Sequence, residues 1–312
     1  MRIIRDYQYV APENRGAAAA IGNFDGVHLG HQSVIDLARK AGAASGSPLG
    51  VVTFEPHPRS YFAPKAPDFR LMNAKARAHR LEKIGVQRLY ELNFNAALSS
   101  LNARAFCADV IVGGLGLTHV VVGADFVFGK GRQGNTEILQ EMGAELGFGV
   151  TIAPLVADAK GEFSSTSIRV ALSEGRTADA ARMLGHWHRI DGRVVGGDQR
   201  GRDLGYPTAN LDIDGLHPPK FGVYAVLVEV FEGPLKGLYK GAASIGMRPT
   251  FGGTKPNLEV FIFDFSGDLY GTEISVGLVK YQRPELKFDS LEELIKQIDD
   301  DCVIARKILQ DL

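Results

Sequence analysis

The sequence predicts an α/β protein in two parts: a parallel sheet wrapped by helices, then an antiparallel β-barrel with a C-terminal helix. Three observations carry this reading. The first half alternates short apolar runs with amphipathic segments, the pattern of strand–helix–strand units that build parallel sheets. From about His188 onward the texture changes to short β-type runs broken by Gly and Pro, as in antiparallel sheets and barrels. The chain has 312 residues, enough for two domains of about 100–200 residues each. The boundary is expected near residues 185–189, giving domains 1–186 and 187–312.

In the first half, strands are expected at Ala17–Gly22, Leu49–Phe54, Arg88–Leu92, His119–Gly123 and Val150–Pro154. Helical spacing lies between them at Gly30–Ala41, Ala74–Ile84, Ala103–Gly113 and Thr136–Leu146. Gly85, Gly114 and Gly147 follow these patterns as helix-ending glycines do. Two more helical stretches, Thr166–Ser173 and Thr177–Leu184, close this part. The second half offers strands at Ile190–Val195, Gly222–Phe231, Tyr239–Ile245, Leu258–Phe265 and Glu273–Tyr281. A helix is expected over Ser290–Asp311, with Ser290 and Glu293 spaced as a capping box. Leu291, Leu294, Ile295, Ile298, Cys302, Ala305, Ile308, Leu309 and Leu312 form one apolar stripe along it.

The balance of 45% hydrophobic and 23% charged residues is that of a globular chain with real cores. A net charge of −1 gives no basic field to draw in nucleic acid or anionic membrane. Cys107 and Cys302 lie far apart in apolar helical patterns, with no metal-like spacing, and read as buried, reduced and structural. No signal-peptide core and no apolar run of about 18 residues is present, so a cytoplasmic protein is expected.

The run Ile21-Gly22-Asn23-Phe24-Asp25-Gly26-Val27-His28-Leu29-Gly30-His31 leads a strand through glycines into a helix. A helix N-terminus offers unpaired N–H groups and partial positive charge, which suit phosphate. His28 and His31 face one side of the first turn, and Gly30 between them leaves room for a ligand. The competing reading is a structural turn with two solvated histidines. Two further segments join it. Val122-Gly123-Ala124-Asp125-Phe126-Val127-Phe128-Gly129-Lys130-Gly131-Arg132-Gln133-Gly134 is a glycine-rich loop after a strand. Ser164-Ser165-Thr166-Ser167-Ile168-Arg169 is a hydroxyl-rich helix start followed by a cation. Each alone also suits a plain turn or cap.

In the second half, Asp198-Gln199-Arg200-Gly201-Arg202-Asp203-Leu204-Gly205-Tyr206-Pro207-Thr208-Ala209-Asn210 concentrates Gly, Arg and Asp before a rigid Pro-Thr-Ala-Asn turn. Such a loop wraps phosphates and offers a hydroxyl and an amide oxygen to Mg²⁺, which prefers oxygen. Glu259, inside the apolar strand Asn257-Leu258-Glu259-Val260-Phe261, is the candidate base for a hydroxyl; pairing with an arginine across the sheet is the alternative.

The first string resembles the HxGH signature of the nucleotidyltransferase superfamily, which implies a Rossmann-like domain. With the two segments that follow it in order, and with Thr53-Phe54-Glu55-Pro56-His57-Pro58, it resembles the adenylyltransferase half of the prokaryotic bifunctional riboflavin kinase/FAD synthetase family. Pro-Thr-Ala-Asn in its setting resembles the riboflavin kinase motif of the same family. The resemblance runs from about residue 18 to 305. It implies that His28, His31 and Arg169 stabilise charge at the ATP phosphates, with Ser165 and Thr166 beside them. Gly22, Asn23, Phe24, Asp25 and Gly30 are placed in that pocket, although Asp25 has the alternative of capping the following helix. Asp125 and Phe126 are implied near the adenosine or flavin, and Phe54 and Pro56 on the flavin. In the second half it implies Mg-ATP on Thr208 and Asn210, phosphates on Gly201, Arg202 and Gly205, and Glu259 as base. Arg248, in an expected loop Arg248-Pro249-Thr250-Phe251, and Arg283 are implied at the flavin. The sequence departs from the family pattern at Gly196, Ser244 and Phe261; none of these is a proposed catalytic group.

The expected activity is therefore ATP-dependent phosphorylation of riboflavin to FMN, then adenylylation of FMN to FAD with release of pyrophosphate. Mg²⁺ is the expected cofactor and ATP the co-substrate. ADP is the expected by-product, with no nucleic-acid or membrane partner. Two alternatives stand beside it: an adenylyltransferase with a non-catalytic, flavin- or partner-binding barrel, and an adenylyltransferase carrying a nucleic-acid-binding barrel. Intact Thr208, Asn210 and Glu259 weigh against the first, and neutral charge against the second.

Overall fold

The computed structural model describes residues 1–159, 161–196, 205–250 and 253–312. The chain packs as two compact units, Met1–Pro67 with Arg77–Phe163, and Asp68–Ala76 with Ser164–Leu312.

The first unit holds a wholly parallel sheet of β1 (Arg2–Ile4), β2 (Ala18–Ile21), β3 (Leu49–Glu55), β4 (Arg88–Asn93), β5 (His119–Gly123) and β6 (Gly149–Ala153). Their order is β1-β4-β3-β2-β5-β6. The accompanying helices are α1 (Leu29–Ser45), α2 (Pro58–Phe62), α3 (Ala74–Lys83), α4 (Ala96–Ser99), α5 (Ala103–Ala105) and α6 (Thr136–Leu146). The chain then makes a small hairpin of β7 (Ala157–Asp158) and β8 (Gly161–Glu162). All four residues of β2 are buried. Its alanines suit a central strand with neighbours on both edges and helices on its faces, and the Gly42 position of α1 lies close enough that an added Cβ would sit 3.3 Å from the Ala18 Cβ. The strand order runs outward from β2 in both directions, which makes the carboxyl end of β2 a topological switch point.

Some local expectations are corrected here. β1 and α2 lie in segments to which no strand or helix was assigned; β1 is only three residues long and largely exposed, so it carries no apolar alternation. The expected helix Ala103–Gly113 is α5 running into a π-helical segment, Phe106–Gly114. Gly85 (φ +84°) and Gly147 (φ +81°) are left-handed helix ends as expected, but Gly114 is not. A Cβ at Gly114 would come within 2.3 Å of the Tyr7 carbonyl, so backbone approach requires this glycine, and Gly116 takes the left-handed position.

The second unit begins with α7 (Ser165–Ser173) and α8 (Thr177–Leu184). Six antiparallel strands follow: β9 (His188–Arg193), β10 (Thr208–Asp212), β11 (Gly222–Val230), β12 (Gly237–Thr250), β13 (Gly253–Ile262) and β14 (Glu273–Arg283). Their order is β10-β13-β12-β11-β14-β9. The two edges meet where the Val195 N–H donates to the Asn210 carbonyl at 2.9 Å, which closes the barrel. The expected Pro-Thr-Ala-Asn turn is instead the start of β10, because Thr208, Asn210 and Asp212 alternate with the inward-facing Ala209 and Leu211. Likewise Arg248, Pro249 and Thr250 continue β12, paired with Lys255, Thr254 and Gly253, rather than forming a loop.

The helix α9 (Leu291–Ile308) packs on the outside of the barrel through Ala305 and Leu309 against Ala225, Ala242, Phe263 and Val279. Ser290 Oγ accepts from the Glu293 N–H at 3.2 Å, and the Glu293 carboxylate reaches back to the Asp289 N–H at 3.3 Å. The apolar stripe is only partly covered, with Leu291 52% exposed. Arg283 clamps the helix by donating through Nε and Nη2 to the buried Asp301, at 2.5–3.1 Å. Cys107 is buried and Cys302 half-buried, and burial pushes both thiols up to about 11.

His188, at the start of β9, is 4% exposed. Burial, reinforced by His186 and His217 and opposed by Asp191, pushes its imidazole down to about 3. The unfolded chain takes this proton near pH 6.5, so between those values it binds more protons than the folded protein. Stability therefore falls as pH drops from about 6.5, by about 1.4 kcal/mol per pH unit for this group. His188→Gln removes the titration and is expected to flatten the slope in urea unfolding measured between about pH 7 and 5. An unchanged slope would remove His188 as its source.

Candidate active sites

In the first unit the sheet brings Gly22–His31 to the carboxyl end of β2, Phe54 and Pro56 to that of β3, and Asp125 and Phe126 to that of β5. These are neighbouring strands around the switch point, where open α/β sheets bind ligands. The turn after β2 is strained. Phe24 (φ +51°) and Val27 (φ +44°) are left-handed non-glycine residues flanking Gly26 (φ +88°), at a cost of about 1–3 kcal/mol each. Burial holds them there, since both side chains are inaccessible or nearly so.

The N-cap of α1 is His28, not Asp25. Its Nδ1 accepts from the His31 N–H at 3.2 Å, so a neutral His28 carries its proton on Nε2. Asp25 is buried in the same turn. The His28 and His31 rings stack with centroids 3.6 Å apart. Burial pushes His31 well below the ordinary imidazole range, and His28 adds to the effect. Nδ1 of His31 is buried without a hydrogen-bond partner among the described residues, a state that an approaching phosphate oxygen would relieve. A Cβ on Gly30 would lie 3.0 Å from the His28 ring and 3.2 Å from the Phe163 carbonyl. Glycine is needed there to seat His28, and the room expected for ligand is taken by that ring.

The support beneath this turn was not read from the sequence. Arg77 of α3 is 1% exposed. It donates to the Asn23 carbonyl at 3.3 Å, to Glu55 at 3.0 Å and to Glu91 at 3.2 Å. Thr53 Oγ1 donates to the same Asn23 carbonyl at 3.2 Å. Also missed was an aromatic group past the ends of β3 and β4. Phe54, Tyr61 and Phe62 contact Phe94 edge-to-face at 5.3–5.7 Å, and Phe62 is 69% exposed. The adjacent pair Tyr61-Phe62 after Pro58 was the available signal. On the β5 side, Asp125 is exposed, Phe126 stacks on Phe128 at 5.4 Å, and Gly134 leaves room for the Phe128 ring.

Ser165, Thr166 and Arg169 lie on α7, in the second unit. Ser164 is the N-cap, accepting from the Ser167 N–H at 3.1 Å. Arg169 Nε donates to the Phe69 carbonyl at 2.6 Å, and its guanidinium lies 5.5 Å from the Phe69 ring centre.

The barrel carries a separate polar row. Asn210 faces Glu259 across the β10–β13 ladder, with Thr208 opposite Phe261 and Asp212 opposite Asn257. Leu258, Val260 and Ile262 point into the core, so Asn257, Glu259 and Phe261 line the other face. Asn257 Nδ2 donates to Asn210 Oδ1 at 3.1 Å and to Glu259 Oε1 at 3.2 Å. The cross-strand neighbours of Glu259 are Asn210 and Ser244, neither of them cationic, so among the described residues the cross-sheet arginine pair is not formed. Asn257 is a further member that the strand pattern concealed. Phe261 packs edge-to-face on Tyr206 at 5.3 Å, and Tyr206 is tethered by its hydroxyl to Asp299 of α9. Gly205 is left-handed at φ +85°. Gly201 and Arg202 lie outside the described residues. Arg248 is placed at a paired position in β12, and Arg283 is engaged with Asp301.

A family model for FAD synthetase matches residues 10–167, and one for riboflavin kinase matches residues 184–309. The bifunctional riboflavin kinase/FMN adenylyltransferase of Pseudomonas fluorescens is 41% identical over 309 residues, covering 99% of this chain and 98% of that one. The enzyme of the same name from Escherichia coli K12 is 38% identical, with coverage of 98% and 97%. That of Bacillus subtilis 168 is 35% identical, with coverage of 100% and 98%. Among solved structures, a macrolide-efflux protein from Streptococcus pneumoniae matches with a TM-score of 0.83 and 35% identity, over 97% of this chain and 98% of that one. No helix among the described residues here is long and apolar enough to cross a membrane.

Arg77→Met removes the cation shared by Glu55, Glu91 and the Asn23 carbonyl. It is expected to cost about 3 kcal/mol in urea unfolding, as loss of one partner from a buried ion pair does. A cost under about 1 kcal/mol would mean the cluster is not holding the turn.

Proposed function

The chain belongs to the bifunctional riboflavin kinase/FMN adenylyltransferase family, and on that premise we propose how its residues divide the two reactions. It phosphorylates riboflavin to FMN with ATP and adenylylates FMN to FAD with a second ATP. We assign adenylylation to residues 1–186 and phosphorylation to residues 187–312. The observation that supports this best is the presence on one chain of two differently built sites. One is a histidine-capped turn at a parallel-sheet switch point, the other a hydroxyl–amide–carboxylate row on a barrel strand pair.

In the phosphorylation step Glu259 takes the proton from the riboflavin 5′-hydroxyl while that oxygen bonds to the γ-phosphorus and the bond to ADP breaks. Asn257, donating to Oε1, fixes the carboxylate's orientation. Thr208 and Asn210 offer a hydroxyl and an amide oxygen, a hard donor set that fits Mg²⁺. No group of three or more His, Cys, Asp or Glu ligands occurs among the described residues, so the ion would complete its shell with ATP phosphates and water. When bound, it would neutralise charge on the transferring phosphoryl group.

In the adenylylation step an FMN phosphate oxygen bonds to the α-phosphorus of ATP and pyrophosphate leaves. That nucleophile is already ionised, so catalysis is positioning and electrostatics. His31, kept neutral by burial and by the adjacent His28, gains a proton as the polyanion arrives and donates to it, while His28, whose Nδ1 is committed to the His31 N–H, offers Nε2 to the same polyanion. Arg169, Ser165 and Thr166 are assigned to ATP phosphate binding in this reading. Phe54, Pro56 and Phe126, with the exposed Phe62, offer flat apolar surface to the flavin ring. The cytoplasm is the proposed compartment, supported by two unpaired cysteines.

The test assays each step alone, with flavins separated by chromatography. His28→Ala is expected to lower FMN adenylylation by about 10²-fold and leave riboflavin phosphorylation within about twofold. Glu259→Gln is expected to do the reverse, with a loss of about 10²–10⁴-fold in phosphorylation. Chelating Mg²⁺ is expected to stop phosphorylation in the wild-type protein. Equal loss of both activities in either variant would sink the division of labour.

A further inference from the structure

Arg169 is referenced at both ends to a single residue of the barrel half. His217, half-buried in the loop between β10 and β11, places Nε2 3.1 Å from the Arg169 carbonyl and 3.0 Å from Ser173 Oγ. A carbonyl only accepts, so Nε2 carries the proton. The backbone N–H of the same histidine donates to the Arg70 carbonyl at 2.8 Å, and Leu216 pairs with Arg70 in a parallel bridge. The residue before Arg70 is Phe69, whose carbonyl accepts from Arg169 Nε and whose ring lies against the guanidinium. The bonds form a closed circuit: from the Arg169 side chain to Phe69, along the chain to Arg70, to the His217 backbone, and through its imidazole to the Arg169 backbone.

Two more bonds brace the circuit. The Gly215 N–H donates to Asp68 Oδ2 at 3.2 Å, and the Lys220 N–H donates to the Leu172 carbonyl at 2.9 Å. Asp68–Ala76, α7 and the barrel belong to one compact unit. Fixing Nε of an arginine fixes the plane of its fork, which is what a phosphate ligand reads. Burial holds the His217 ring below its ordinary range, with the bond to the Arg169 carbonyl opposing the shift, so near neutral pH it places no second cation beside Arg169.

We propose that His217, on the phosphorylating half, is a positioning residue for Arg169 in adenylylation. This rests on the role given to Arg169 above. His217 touches neither substrate; it acts by holding α7 and the Phe69–Arg70 segment in one register.

The experiment compares His217→Gln with His217→Met. The two side chains match in length and bulk, but only Gln keeps an N–H to donate, so a packing effect would be common to both. Each is made in the wild-type and Arg169→Ala backgrounds, and both reactions are assayed alongside thermal unfolding. H217M is expected to lower kcat/KM for ATP in FMN adenylylation by about tenfold, a loss on the order of one hydrogen bond. H217Q is expected to stay within about threefold of wild type, with riboflavin phosphorylation unchanged in both. In the R169A background the two variants should become equal, because the coupled partner is gone. The proposal fails if H217Q and H217M are alike in the wild-type background, if their difference persists without Arg169, or if phosphorylation falls in parallel. Full adenylylation by R169A alone would instead remove the reading of Arg169, and the role of His217 with it.

Discussion

A buried guanidinium must find partners for its charge and its donors, and in the first unit that constraint organises the carboxyl edge of the sheet. Arg77 enters from α3 with almost no solvent contact and gathers the Asn23 carbonyl after β2, Glu55 at the end of β3 and Glu91 in β4. Taking such a group from water is tolerable only when each partner is well placed. The positions of three strand ends are thereby tied to one side chain. The strained turn from Phe24 to Val27 rests on this support, and His28 can cap α1 only because that turn delivers it to the helix start. The stacked imidazoles follow from the cap, since Nδ1 of His28 is committed to the His31 N–H and the two rings lie on the same side of the first turn.

In the barrel the corresponding constraint is the two-residue period of a strand. Leu258, Val260 and Ile262 satisfy the core, so Asn257, Glu259 and Phe261 must take the other face; a slip of one residue would exchange them. The antiparallel ladder sets Asn210 opposite Glu259, and Asn257 bridges the two. The site is therefore specified by the same register that specifies the core. Two of the departures from the family pattern, Ser244 and Phe261, lie on this outer face. Ser244 is the cross-strand neighbour of Glu259, and Phe261 packs on Tyr206 where a histidine would bring a polar edge. They alter the surroundings of the carboxylate without breaking the bond that orients it.

Elements with strong periodicity were legible in the sequence. β5, α6 and α8 fall where spacing places them, and Ser290 caps the last helix as expected, with the Glu293 carboxylate reaching the Asp289 N–H rather than that of Ser290. Elements whose residues carry mixed signals were not. β10 begins after a proline and contains asparagine, so it reads as a turn, and only pairing with β13 makes it a strand. Arg248 to Thr250 read as a loop for the same reason and are likewise held by β13. The histidines, Glu259, Thr208 and Asn210 were singled out because their motifs are local. Arg77, Asn257 and His217 were not, because each acts across the fold: a buried arginine in a helix, an asparagine in a strand and a loop histidine carry no signal until their partners are in place.

The division of the chain by packing cuts across its division by chemistry. The FAD synthetase model ends at residue 167, inside α7, yet α7 and α8 pack in the unit that contains the barrel. Thr177 Oγ1 donates to the Val279 carbonyl of β14, the Lys220 N–H to Leu172, and the His217 imidazole to Arg169. Loops tolerate insertion and loss where few such bonds cross them. Here the helix that bears Ser165, Thr166 and Arg169 draws its packing from residues encoded after it, in the part matched by the riboflavin kinase model. With the role proposed for Arg169, the later part supplies the scaffold for a cation of the earlier one, which would be a physical reason for the two activities to share one chain.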